Sequence, residues 1–367
     1  MAEVATCSNP GCDQSGTKSC GACKTVVYCS VICQTADWTR HKEECDGHLR
    51  KAGMANLAKA HGFNQQQNWI QSFRYAEIAA TKLKQLKDRR LETVEVIDAA
   101  LGFKYDALNF TDRNREAKGF AEERYTLWAM NQMRHPGSIR AALGLIQSCL
   151  HNKEFVDAEH YARHAMFMIN DMADNFIPAD QRSRFLADGS YYLASAIHQL
   201  AEAGGIPPEE KQKAGEDAIA SARQALELHT RLFGTESAKV AGSMAALADV
   251  MGYFNNVDDD ESLRLHKQAI AIISRVEGRS SPNVAAGEGN LGVTLMNRAE
   301  RAEAANDLDR CLANLELALP HIRESARIYR AINHMDNVNG ALGNIALVEE
   351  HMRRIRIAKA AASVTRG

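Results

Sequence analysis

The sequence has 367 residues, enough for two or three domains, and 44 Lys and Arg against 46 Asp and Glu give a formal net charge of −2. This balance argues against a dedicated nucleic-acid-binding protein, whose binding face is strongly basic. Hydrophobic residues make up 45% but aromatic residues only 6%, and seven prolines leave long uninterrupted stretches, so the composition favours helices. No apolar run reaches the roughly eighteen residues of a membrane span, and we expect no membrane-embedded segment.

The first 45 residues hold seven of the nine cysteines and one histidine. Their spacings are Cys-x4-Cys, Cys-x2-Cys, Cys-x3-Cys and His-x3-Cys. Eight thiol and imidazole ligands make two tetrahedral sets, which is the coordination of structural zinc. In chain order these ligands are Cys7, Cys12, Cys20, Cys23, Cys29, Cys33, His41 and Cys45.

A disulfide framework is the alternative to zinc. Seven is an odd number of cysteines, and the first residues, MAEVATCSNPG, lack the apolar core of a secretory signal, so we expect a reducing compartment. A segment this short cannot bury enough surface to fold alone, and zinc binding would supply the missing free energy.

The order of the ligands and the stretch YCSVICQTADWTRHKEEC resemble a MYND-type zinc finger. The resemblance implies two interleaved zinc sites. One set would be Cys7, Cys12, Cys29 and Cys33, and the other Cys20, Cys23, His41 and Cys45. The first pair departs from the family because four residues, SNPG, separate Cys7 from Cys12 where two are usual; a Pro-Gly turn can close this longer knuckle.

Helical periodicity follows the finger. After Cys45 a polar connector with three glycines predicts one short helix, and an amphipathic pattern begins at Gln65. A short helix is predicted from Leu91, ending at Gly102, and another from about Arg115 to Met133. The sequence His-Pro-Gly then interrupts the pattern, and Ser138 is predicted to cap the next helix.

The remaining chain repeats itself in two alternating patterns. Pattern A begins with an aliphatic residue, has another seven residues later and then a small residue; its four copies begin at Leu186, Val240, Val284 and Val338, with a weaker one at Ile139. Pattern B has small or apolar residues at a four-then-three spacing, and its copies begin at Ala158, Ala218, Ser262 and Ala318. We call the corresponding segments helices A and helices B.

Two helices per unit with a recurring period of 44 to 54 residues predict a helical-hairpin solenoid, with a generic helical bundle as the alternative. The segments also resemble the long tetratricopeptide repeats of kinesin light chains. We therefore expect a mostly α fold, a small treble of zinc knuckles with two interleaved zinc sites followed by an all-α TPR-like solenoid. The predicted domains are a finger (1–48), a helical connector (49–135), the repeats (136–352) and a basic C-terminal tail (353–367).

Two peptide-binding surfaces are predicted. Asn290 and Asn344 occupy the same repeat position and Asn297 follows two turns later; amides there line the peptide groove in the resembling repeats, while solvated helix residues are the alternative. In the finger, Gln34 and Trp38 match positions that bind short proline-rich peptides beside the second zinc in MYND modules. Trp38 as part of a small core is the alternative there.

The sequence predicts a zinc-dependent adaptor rather than an enzyme. Its cofactors would be two zinc ions, and its partners would be proteins offering proline-rich or extended segments, with no membrane, nucleic acid or small-molecule substrate. The rival class is a protein lysine methyltransferase with a SET domain around the finger, but no β-rich catalytic region and no nucleophile or phosphate-loop motif is found. We expect an intracellular protein, in the cytoplasm, the nucleus or both.

Overall fold

The structure, a computed structural model, describes residues 5–86, 90–111, 113–131, 134–172, 177–254 and 260–364. It divides into two compact units, the first ending at Glu154 and the second beginning at Phe155. None of the helices in these ranges combines the length and apolar character that a bilayer crossing requires.

The first unit begins with the finger and continues as five helices. A two-stranded antiparallel sheet pairs Lys18 with Tyr28 and Ser19 with Val27. The elements are β1 (Lys18–Ser19), β2 (Val27–Tyr28), α1 (Val31–Gln65), α2 (Trp69–Leu83), α3 (Leu91–Asn109), α4 (Asn114–Asn131) and α5 (Pro136–His151). Each helix packs on its neighbour in the chain, and α1 also contacts α3 and β2.

The finger and the following helices share one hydrophobic core. Tyr28 and the ligand Cys45 are buried together with Leu49 of α1, Leu83 of α2 and Leu101 of α3. Burying side chains of this size contributes about 1.5–3 kcal/mol each. The finger therefore rests on helices that lie beyond residue 48.

Helix α1 differs from the prediction because it continues through the presumed connector to Gln65. Gly53, one of the glycines of the presumed connector, lies inside this helix. A Cβ atom there would come within 2.6 Å of Leu83 Cγ, so the glycine permits the close approach of α1 and α2.

Two other predicted boundaries are wrong. The helix predicted to end at Gly102 continues to Asn109, because the following turns bury Tyr105 and Leu108. The cap before α5 is His135 rather than Ser138: the His135 Nδ1 accepts a hydrogen bond from the Gly137 N–H at 3.1 Å. The predicted end of α4 at Met133 lies outside the described residues.

Within its described residues the second unit has eight helices, which match the two repeat patterns. Helices B are α6 (Phe155–Asp171), α8 (Lys211–Phe233), α10 (Asp260–Val276) and α12 (Leu308–Ala331). Helices A are α7 (Ala179–Glu202), α9 (Ala238–Phe254), α11 (Pro282–Ala304) and α13 (Met335–Val364). The tail predicted from residue 353 continues α13, and residues 365–367 lie outside the described part.

Packing in this unit explains the repeat patterns. All twelve positions of pattern B are buried: Ala158, Ala162, Ala165, Ala218, Ala222, Ala225, Ser262, His266, Ala269, Ala318, Ile322 and Ser325. The small residues of pattern A are close-approach positions; a Cβ atom on Gly292 of α11 would lie 2.4 Å from Ile322 of α12. Consecutive helices pack together, and α7–α9, α9–α11 and α11–α13 also touch. Helices A therefore form a continuous layer, as in a TPR-like solenoid.

Candidate functional site

The first knuckle of the finger is closed by a Pro-Gly turn. The Cys12 N–H donates to the Asn9 carbonyl at 3.1 Å, and Gly11 adopts a φ of +82°. Pro at the second position and Gly with positive φ at the third are the features of a type II turn. The four-residue spacing thus brings Cys7 and Cys12 to the same side of the loop.

The first predicted ligand set is assembled in space. The ligand atoms of Cys7, Cys12, Cys29 and Cys33 all lie within 4.8 Å of one another. The Cys12 and Cys29 sulfurs are 3.7 Å apart, and those of Cys29 and Cys33 are 3.5 Å apart. Four sulfurs at the usual zinc–sulfur distance are about 3.8 Å apart along the edges of a tetrahedron.

The second set is assembled in the same way and is more deeply buried. The ligand atoms of Cys20, Cys23, His41 and Cys45 lie within 4.8 Å of one another. The Cys20 and Cys45 sulfurs are 3.9 Å apart, and the Cys23 sulfur lies 3.3 Å from His41 Nε2. His41 therefore faces the set through Nε2, and its Nδ1 lies 3.8 Å from the Glu44 carboxylate.

Both sets fit zinc by chemistry as well as by distance. Burial opposes ionisation of the Cys23 thiol, but hydrogen bonding with Thr25 outweighs it and lowers its pKa to about 6. A hydrogen bond from Asn9 lowers the pKa of Cys33 to about 7. Four protein ligands in each set would hold a structural ion and leave no open coordination position. The finger thus provides two structural zinc sites.

A buried carboxylate connects the two halves of the finger. Asp37 of α1 accepts hydrogen bonds from the Tyr28 hydroxyl at 2.8 Å and from the Arg40 guanidinium at 2.7 and 2.9 Å. Arg40 also donates to the carbonyl of Ser8 in the first knuckle at 3.0 Å. Burial favours the protonated acid, but the hydrogen bonds from Arg40 and Tyr28 prevail and lower the pKa of Asp37.

The two residues predicted to bind peptide in the finger lie on the first turns of α1. Gln34 and Trp38 are both half-buried. The Trp38 ring packs edge-on against the His41 ring, with centroids 6.2 Å apart, and contacts the finger core. Trp38 therefore contributes to the core of the finger, and its half-buried ring lies beside the second metal set.

The second unit contains a cavity of about 480 Å³. Helices α7, α9 and α11 line it, together with residues of α8 and α10, so it lies on the layer of helices A. Of the predicted groove residues, Asn290 lines this cavity, while Asn297 on α11 and Asn344 on α13 are half-buried positions outside its lining.

Sequence reasoning missed the charged centre of this cavity. Asp249 of α9 accepts a hydrogen bond from Asn290 Nδ2 at 3.0 Å and lies 3.4 Å from His266 Nε2. Burial is the main cause that raises the pKa of Asp249 to about 8, and the charge of Glu202 adds to it. An aspartate in the apolar sequence AALADVMG was a detectable signal, because a carboxylate on a largely buried helix requires an explanation.

A third group of ligand-type residues lies at the other end of the second unit. Glu303, Cys311 and His351 approach within 4.8 Å. The His351 Nε2 to Glu303 Oε2 distance is only 2.6 Å, and Arg354 donates to the same carboxylate at 3.1 Å. A direct ion pair accounts for this geometry, so we do not interpret it as a metal site.

Comparison with known proteins identifies the finger. The matching family is the MYND finger, over residues 5–45. Ubiquitin carboxyl-terminal hydrolase 19 of Arabidopsis thaliana is 46% identical over 48 residues, which are 13% of this chain and 7% of that protein. SET domain and MYND-type zinc finger protein 6 of Schizosaccharomyces pombe is 50% identical over 40 residues, 11% of this chain and 8% of that protein. The chain spans less than a tenth of the length of these relatives.

Solved structures resemble the helical part at low sequence identity. BtubC (BKLC) of P. vanneervenii is 19% identical, with 72% of this chain and 92% of that chain covered and a TM-score of 0.44. The nearly identical TPR-like repeats designated a kinesin light chain from Podosopora anserina are 16% identical, with coverages of 63% and 98% and a TM-score of 0.44. On the ligand geometry and the family match, residues 5–45 are a MYND-type zinc finger, and on its helix packing the second unit is a TPR-like helical-hairpin solenoid.

Proposed function

We propose that this protein is a non-enzymatic adaptor that holds two protein segments, one at the finger and one in the groove of the repeats. The observation that carries the proposal is the cavity on the layer of helices A, because an array of repeats presents its binding surface on one such layer. The finger also supports the proposal, because its zinc ions would be fully ligated by the protein and therefore structural rather than catalytic. We further propose an intracellular location, in which the finger thiols remain reduced.

The finger would bind a short proline-rich segment at Trp38. A half-buried indole can serve as a platform for a proline ring, and the Gln34 amide one turn earlier can bond a peptide carbonyl. Val31 and Ile32 at the start of α1 are exposed and extend the apolar surface. A polyproline segment is already extended in solution and therefore loses little entropy on binding.

The groove would bind the backbone of a second, extended segment through Asn290, Asn297 and Asn344. A side-chain amide both donates and accepts, so it can pair with successive peptide groups without reading their side chains. Two modest sites on one chain give a higher avidity when a partner engages both together.

The first test measures fluorescence anisotropy of a panel of proline-rich peptides with the full chain. Trp38→Ala should lose binding and keep its zinc, whereas Ile70→Ala, which trims a side chain of α2 that is 77% exposed, serves as the control. Peptide binding that is equal in the Trp38→Ala variant would contradict the role of the finger. Turnover of S-adenosylmethionine on a protein substrate would contradict the adaptor proposal as a whole.

The second test concerns the repeats. The Asn290→Ala and Asn344→Ala double variant should capture partner segments more weakly at an unchanged melting temperature. If this double variant captures partner segments as well as the parent chain does, Asn290 and Asn344 do not contribute to peptide binding.

A further inference from the structure

The cavity of the second unit contains a carboxyl group whose partners carry no fixed positive charge. In the described part of the chain, Asp249 interacts with the neutral Asn290 amide and with His266. Burial lowers the pKa of His266 to about 4, so this imidazole is neutral at physiological pH. An anion desolvated in this way is costly unless a cation reaches it.

The neighbouring cations are already engaged elsewhere. Lys239 also lines the cavity, but its ammonium contacts Asp188 at 2.6 Å, and His229 lies 3.3 Å from the same carboxylate. Asp188 is therefore paired with a cation of the chain, whereas Asp249, which lines the cavity, has no such partner among the described residues. Asp188 thus belongs to an ion pair within the chain, whereas Asp249 is a candidate binding site for a positively charged ligand.

Further groups in the cavity suit a cationic ligand. His266 is fully buried, its Nε2 also lies 3.0 Å from the Thr294 hydroxyl, and its neutral ring brings no positive charge to the cavity. Tyr191 lies near enough to Asp249 for the charge of the carboxylate to raise its pKa, after the larger effect of burial. A tyrosine ring beside a carboxylate can bind a cation through its face.

We propose that this cavity receives the arginine or lysine side chain of a partner peptide, with Asp249 as the counter-ion. The inference rests on the proposed function, because it assumes that the repeats hold an extended segment. Arginine is the better fit of the two, since its planar fork can donate two hydrogen bonds to the Asp249 carboxylate while stacking on an aromatic ring.

Binding should release a proton. In the free chain the Asp249 carboxyl has a pKa of about 8 and keeps its proton at neutral pH, whereas a bound cation favours the ionised form. The titratable and charged groups facing the cavity are Glu202, His198 and Tyr191 from α7, His229 from α8, Lys239 from α9, His266 from α10 and Glu277 after it. The pKa values of His198 and His266 are lowered to about 4 and that of Tyr191 is raised, so none of these three titrates between pH 6 and 8. The other groups are unchanged in Asp249→Asn, so the pH dependence that this variant loses belongs to Asp249.

The experiment selects peptides from a random library displayed on phage, using the full chain. Peptides whose binding survives Trp38→Ala are assigned to the repeats. Each is then synthesised with its basic residue kept or replaced by glutamine, and its affinity is measured by anisotropy with the parent chain, Asp249→Asn and Glu227→Gln. The last variant removes the same charge from a side chain on α8 that is 73% exposed.

We expect these peptides to share one basic residue. Its replacement by glutamine should weaken binding roughly tenfold in the parent chain and in Glu227→Gln, but by less than about threefold in Asp249→Asn. Affinity of the parent chain should also rise between pH 6 and 8. Peptides that bind the repeats without a shared basic residue, or equally well to Asp249→Asn, would overturn this inference and leave the adaptor proposal standing. Selection of no peptide at all would overturn both.

Discussion

Replacing Asp249 by asparagine should stabilise the protein. Burial, with a smaller contribution from Glu202, raises the pKa of the carboxyl from 3.8 to about 8 in the folded chain. The folded state therefore binds this proton more tightly than the unfolded state does. The stabilising effect of the bound proton is fully present below pH 3.8, the unfolded value, and is lost as the pH rises through about 8.

The size of the effect follows from the difference between the pKa values of Asp249 in the unfolded and folded chain. At pH 7 the unfolded carboxyl is ionised, about three pH units above its pKa, and each unit corresponds to about 1.4 kcal/mol. The penalty is therefore at most about 4 kcal/mol, and solvent reduces it because 22% of the side chain is exposed. Asparagine has the same shape and no charge, so we expect Asp249→Asn to raise the free energy of unfolding at pH 7 by about 1–4 kcal/mol.

The assay is urea denaturation followed by circular dichroism at several pH values between 6.5 and 9. The difference in the free energy of unfolding between Asp249→Asn and the parent chain should grow with pH up to about 8 and then stay constant. His198 and His266 are neutral throughout this window and do not contribute to the slope. Glu227→Gln controls for the loss of one negative charge. A variant less stable than the parent, or a difference that does not change with pH, would refute this reasoning.

The other predictions concern the first unit. Chelation should remove about two zinc ions per chain and unfold the finger, and Cys20→Ser should retain about one, as counted by native mass spectrometry. Asp37→Ala removes the acceptor of buried hydrogen bonds and should lower the free energy of unfolding by about 2–4 kcal/mol, with faster zinc loss to a chelator. Gly137→Ala would place a Cβ atom 2.0 Å from the buried Trp128 ring, and thermal denaturation should show a loss of about 1–3 kcal/mol. Gly119→Ala, where a Cβ atom meets nothing within 4 Å, should gain about 0.5–1 kcal/mol.

Each of these outcomes has a contrary result. Equal melting temperatures for Gly137→Ala and Gly119→Ala would show that the helix around Gly137 moves to accommodate the methyl group. Loss of both zinc ions from Cys20→Ser would show that the two sites fold as one cooperative unit. If Asp37→Ala loses zinc to the chelator at the same rate as the parent chain, the Asp37 carboxylate does not contribute to the stability of the finger.

The adaptor proposal combines sites of different predictability. The finger could be identified from the sequence because each ligand pair is local: the spacing within a knuckle or a helical turn already brings two ligands together. Asn290, which lines the cavity, was also singled out from the sequence, because the repeat register placed it on helix A. Asp249 was not, since its unusual environment depends on Glu202 and His266, which are 47 and 17 residues away in the sequence.

The sequence alone determined the helical class, the eight zinc ligands in their local pairs and the alternation of helices A and B, while the assignment of those pairs to two sets came from the resemblance to MYND fingers. These features depend on short-range spacing, which the chain carries wherever it packs. Tertiary structure decided where α1 and α3 end, because packing of residues such as Leu83 and Leu108 outweighs the local tendency of glycine to stop a helix. It also decided that Asp249 lacks a cationic partner among the described residues while Asp188 has one, since charge pairing depends on contacts between helices that no spacing along the chain records.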